Sequence, residues 1–166
     1  MSIRSSDSHG VFLKLARALI LVAVTWLLGA QAMATDGLIT VRSAFGPKET
    51  MNRLEAEVRA KGLTVFAHID HAAGAAEAGL QLRPTDLIIF GNAKGGTPLM
   101  QSVQTIGIDL PLKALVWQDA SGNTWLSYND LAWLAKRHGV GQEVQPTIEA
   151  LRTALSALAK KATALP

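Results

Sequence analysis

From residue 37 onward the apolar positions alternate between a period of two and a period near 3.6, which predicts strands interleaved with helices. Gly37–Ser43 reads as a strand. Gly46, then Pro47 at the first helical position and Glu49 in the first turn, open an amphipathic helix. Met51, Leu54 and Val58 share its apolar face, and Gly62 ends it. Leu63–Ile69 alternates as a second strand, after which Asp70 caps a short helix, HAAGAAEA, stopping at Gly79. Arg83-Pro84 forces an extended link. Asp86–Phe90 is apolar on both faces, which predicts a central strand covered on both sides.

Gly91–Gly96 is expected to turn the chain, with Thr97 as N-cap and Pro98 at the first position of a helix through Gln104. Lys113–Gln118 and Thr124–Tyr128 flank Asp119–Asn123 as a hairpin with a five-residue loop. Asn129 is expected to cap the helix DLAWLAKRH, which ends at Gly139. Gln145-Pro146 starts the last helix, whose seam of Ile148, Leu151, Leu155, Leu158, Ala162 and Leu165 predicts packing across a sheet. With fewer than three full heptads, a coiled coil is the weaker reading. The order predicts an α+β domain: an antiparallel meander covered on one face by helices. The strands around Leu87 and Leu115 are too apolar for a wet second face, so that face is expected to meet a second subunit or form a pocket.

The first 34 residues do not fit that pattern. Arg4, Lys14 and Arg17 precede an uncharged run, Ala18–Leu28, and Ala32-Met33-Ala34 offers a small-x-small cleavage site. This predicts a secretory leader cut after Ala34, export to the periplasm, and one domain over residues 35–166. A membrane anchor is the alternative, but the run is about half the ~20 residues of a span. Membrane contact is thus expected only through an uncleaved leader. Removing it takes three of the 16 basic and one of the 13 acidic residues, leaving a formal charge of +1. Nothing in that balance suggests a nucleic-acid surface. The chain has no cysteine, so no disulfide, lipoprotein anchor or c-type haem attachment is possible.

Two stretches carry candidate chemistry. His68, Asp70 and His71 supply ligand types that a divalent metal accepts, but H-x-D-H is no recognised ligand spacing. The plainer and favoured reading makes Asp70 a helix cap and the histidines ordinary residues. Gly91–Pro98 combines glycines, Lys94 and a new helix start, and so suggests a weak anion site using Lys94 with the amides of Leu99 and Met100. Lys94 lies two residues too early for a Walker A loop, and a tight glycine turn is the plainer reading. Trp117, Trp125, Tyr128 and Trp133 are read as aromatic core before pocket lining. No G-x-S-x-G elbow supports a serine hydrolase.

The stretch FAHIDHAAGAAEAGLQLRPTDLIIFGNAKGGTPLMQ, followed by DLPLKALVWQDASGNTWLSYNDLAWLAKRHG, closely resembles the bacterial and archaeal "domain of unknown function 302" family. The match runs from about Gly37 to the final helix, and the LRP, FGNxxxGTPLM and DLPLK motifs carry it. The resemblance implies a curved antiparallel sheet gripped by helices, like one repeat of the TATA-box-binding protein, and a homodimer. It implies no established activity. The motif positions are His71, Arg83, Pro84, Phe90, Gly91, Asn92, Gly96, Thr97 and Pro98.

The preferred reading is a non-enzymatic dimer binding a small ligand, anionic or partly apolar, at His71, Arg83, Phe90, Gly91, Asn92, Lys94, Gly96, Thr97 and Pro98. A metal- or haem-dependent activity at His68, Asp70 and His71 is the alternative. A structural interaction module is the third reading. No catalytic residue and no cofactor is assigned.

Overall fold

The computed structural model describes Met33–Thr35 and residues 37–165. By contacts the chain divides into Met1–Gln31 and a compact unit, Ala32–Pro166. The expected leader therefore lies outside the described residues, save for the backbone of Met33 and Ala34.

The compact unit is α+β, as expected. Its strands are β1 (Met33–Thr35), β2 (Leu38–Arg42), β3 (Thr64–Asp70), β4 (Thr85–Gly91), β5 (Leu112–Gln118) and β6 (Thr124–Asn129). They form one open antiparallel sheet in the order β1-β2-β6-β5-β4-β3. The helices are α1 (Pro47–Ala60), α2 (His71–Glu77), α3 (Ala93–Ser102), α4 (Leu131–His138) and α5 (Gln145–Thr163). Short 3-10 turns at Gln104–Ile108 and Gln142–Val144 link α3 to β5 and α4 to α5.

One face of the sheet carries the core. Ile88 and Phe90 of β4, Ala114 and Val116 of β5, and Leu126 and Tyr128 of β6 are buried under Met51, Leu54 and Val58 of α1 and Ile148, Leu155, Leu158 and Ala162 of α5. The seam read in the last helix thus packs inward, as predicted, apart from Leu165, which lies beyond the helix and is exposed. At the end of α1, Gly62 takes a positive φ of 68°, a left-handed conformation that lets the chain reverse into β3.

Alternation puts Ala67, Ile69, Leu87, Ile89, Leu115, Trp117 and Trp125 on the opposite face. Asp86–Phe90 is buried on one side and half-buried on the other, not covered on both. Trp117 and Trp125 stack there at 6.1 Å, and the Trp117 indole N–H donates to Ser127 Oγ at 2.9 Å. These tryptophans belong to the uncovered face, not to the core.

Two helix starts differ from expectation. The helix expected at Thr97 begins at Ala93, because Asn92 is its N-cap and accepts from the Gly95 N–H at 2.8 Å. Gly95 and Gly96 are therefore helical, and Pro98 sits inside the helix. Asp130, not Asn129, caps α4, accepting from the Ala132 N–H at 3.1 Å.

Candidate functional site: an apolar cavity beside the glycine-rich helix start

Where β4 ends, Phe90 points into the core and Gly91 and Asn92 lead into α3. The last helix α5 crosses above this junction, and the Gly107–Leu112 segment, with a cis Leu110–Pro111 bond, closes the side. Between them lies a cavity of about 300 Å³. Its floor is Phe90 and Leu112, its roof Leu151, Ala154, Leu155 and Leu158, and its walls include Met100, Leu110 and the glycines 91, 95, 96 and 107.

A β-bulge shapes the entrance. Val65 pairs with Phe90 and Ala67 with the adjacent Ile89, so Phe66 is an extra residue with no partner of its own. It lines the cavity while remaining 57% exposed.

The nine residues proposed as one ligand site do not form one. Phe90, Gly91, Asn92 and Gly96 line the cavity. Lys94, Thr97 and Pro98 lie on the same helix but outside the cavity wall. His71 and Arg83 lie at the other end of the sheet, since Asp70 pairs with Asp86 while Gly91 pairs with Thr64. Five residues of extended chain separate Asp86 from Gly91, about 17 Å. Arg83 there donates through Nε to the Gln118 carbonyl at 3.0 Å, tying the start of β4 to β5. The anion site built on Leu99 and Met100 is also corrected: both amides lie inside α3, where the ladder uses them.

His68, Asp70 and His71 do not converge as a metal site. Asp70 accepts from the Ala73 N–H at 2.8 Å, and His68 Nε2 faces Asp86 at 3.6 Å. Among the described residues no group of three or more His, Cys, Asp or Glu side chains is placed to hold a metal ion. Burial, and then the neighbouring Asp70 charge, push the Asp86 carboxyl above its ordinary range, against the pull of His68 and His71.

A second polar cluster escaped the sequence reading. His138 Nε2 lies 2.7 Å from Asp109 Oδ2, and its Nδ1 is 3.3 Å from Thr105 Oγ1. Arg137 also reaches Asp109 at 3.2 Å. Hydroxyl, imidazole and carboxylate sit in relay order, but Thr105 does not border the cavity. The geometry instead fastens the Gln104–Leu112 segment, one wall of the cavity, to the end of α4.

Comparison with known proteins fits this architecture. Residues 39–158 match the family described as "Domain of unknown function DUF302". The chain belongs to the DUF302 family. This DUF302 domain is also similar to the crystal structure of an uncharacterized conserved protein DUF302 from Bacillus stearothermophilus. That likeness has a TM-score of 0.69 at 20% identity and covers 77% of this chain and 99% of that one, so it speaks to the fold. Two curated relatives carry another name. "Fluoride-specific ion channel FluC 1" of Brucella suis biovar 1 (strain 1330) is 50% identical over 127 residues, covering 76% of this chain and 50% of that protein. "Fluoride-specific ion channel FluC 2" of Brucella melitensis biotype 1 is 50% identical over the same length, covering 47% of that protein. The chain spans about half the length of these relatives.

Proposed function

We propose that this DUF302 domain is a binding protein for a small, largely apolar molecule held between β4, α3 and α5. The observation behind the reading is the cavity itself. At about 300 Å³ it lies in the size range of small-molecule sites. Protein interiors are otherwise close-packed, and core positions such as Val58, Ile88, Phe90 and Leu99 are fully buried nearby. The test is titration of the intact protein with N-phenyl-1-naphthylamine, a neutral apolar fluorophore. Saturable enhancement that Ala154→Leu removes supports the reading; no enhancement, or the same enhancement in the variant, rejects it.

A second copy of the chain is the proposed partner for the uncovered sheet face. Ile69, 39% exposed, with Leu87, Ile89, Leu115 and the stacked tryptophans, offers an apolar surface that a two-fold axis can pair with itself. Sedimentation should give a dimer that Leu87→Lys converts to a monomer; a wild-type monomer counts against it. Export through the leader remains part of the proposal, supported by the basic, apolar and small-x-small order of residues 1–34. Fractionation of cells expressing the full chain tests it, a cytoplasmic product being the adverse result.

A second reading follows from the names of the curated relatives: the domain works beside an ion channel. What supports it is 50% identity to about half of proteins named as fluoride-specific channels. No described helix of this chain is long and apolar enough to cross a membrane, so this reading makes the domain a companion of the pore. Co-purification with a fluoride channel from the same cell tests it, and its absence under crosslinking argues against it.

A further inference from the structure

We infer that the cavity takes an uncharged aliphatic molecule bearing a neutral oxygen, such as a medium-chain alcohol or ketone, and discriminates against the fatty acid of equal length. The inference rests on the reading that the cavity is a binding site. Among the described residues no charged side chain lines it: the walls are Leu, Phe, Met, Pro, Ala and Gly, with Asn92 the one polar side chain. A carboxylate entering such a space loses its water shell and meets no cation in return. Lys94, the cation expected to receive an anion, lies outside the wall, and so does Arg83.

The start of α3 does not replace them. The Gly95 and Gly96 N–H groups already donate to the Asn92 side chain and carbonyl, at 2.8 and 3.2 Å. The Asn92 side-chain oxygen is occupied by that cap, which leaves its amide nitrogen, a donor suited to a hydroxyl or carbonyl oxygen.

Size and adaptability point the same way. At roughly 30 Å³ per water-sized group, the volume accepts a chain of about ten heavy atoms. A Cβ at Gly96 would stand 3.7 Å from Leu110 and 3.8 Å from Met100, and one at Gly107 would stand 3.4 Å from the Met100 sulfur. The bare glycines thus leave the flexible thioether room to settle against a chain of variable shape.

Competition at pH 7.5 decides the matter: decan-1-ol and decanoate displacing N-phenyl-1-naphthylamine from the intact protein, with decan-1-ol binding to Ala154→Leu and to Gly96→Ala, a second narrowed variant, followed directly by calorimetric titration. The expected result is displacement by the alcohol at a concentration at least tenfold below that of the acid. Both variants should weaken alcohol binding while keeping a cooperative melt. Decanoate displacing as well as or better than decan-1-ol overturns the inference and leaves the cavity a binding site. Failure of the probe to bind the wild type overturns the binding reading, and the inference with it.

Discussion

The imidazole of His138, at the C-terminus of α4, and the carboxylate of Asp109, in the segment leading to β5, meet at 2.7 Å across 29 residues of sequence, both largely buried. Between them they hold the wall that ends at Leu112 against α4, so the shape of the cavity depends on a contact outside it.

His138→Ala should cost about 1.5–3 kcal/mol in urea unfolding, the range for a hydrogen bond to a charged group whose partner is left behind. It should also weaken probe binding severalfold. A loss of stability with unchanged binding would separate the latch from the cavity.

Asp119 organises the β5–β6 hairpin. Its two oxygens accept from the N–H groups of Ser121 and Asn123, the Asn123 side chain and the Trp125 indole. The indole contact first, then Asn123, lower its pKa to about 2. A carboxyl depressed by folding adds stability that is complete above its unfolded value of 3.8 and is lost as pH falls toward 2. Asp119→Asn should abolish the part of the acid titration of tryptophan fluorescence that falls between those values. An unchanged titration would place the transition elsewhere.

Asp86 has the opposite sign. Its pKa is raised first by burial and then by Asp70, so its charge opposes folding at neutral pH. The penalty should fall away as pH drops through its folded pKa toward 3.8. Asp86→Asn is expected to match or exceed the wild type at pH 7, by under about 1 kcal/mol, with the gap narrowing in acid. Thermal melts at pH 7 and 4.5 check this, and a variant less stable at pH 7 contradicts it.

Phe66 is the residue to change at the entrance. It is exposed and unpaired on its bulge, so it is expected to contribute little to folding. Phe66→Ser should shift stability by no more than about 0.5 kcal/mol while weakening the alcohol three- to tenfold in the same competition assay. A large stability loss would make Phe66 a packing residue.

Strands, helices and their order were legible because each leaves a local mark: alternation in β5 and β6, Pro47 and Gly62 around α1, the Ile148–Ala162 seam of α5. The start of α3 was not, since two glycines and a proline look like a turn until the Asn92 cap is seen to begin a helix ahead of them. Of the site, the motif around Phe90–Gly96 marked one wall. The roof, from Leu151 to Leu158, and the side, from Gly107 to Leu112, reach it only through tertiary docking, which no local period records. His71 and Gly91 are positions of one family motif, but β4 carries them to opposite ends of the sheet.

Methyl NMR of the intact protein, titrated with decan-1-ol, tests the central claim most directly. Saturable shifts are expected at Met100, Leu110, Leu151, Leu155 and Leu158, with Leu87 and Leu115 on the far face unmoved. Shifts confined to Leu87 and Leu115, or no saturable shift at any of these methyls, would contradict it.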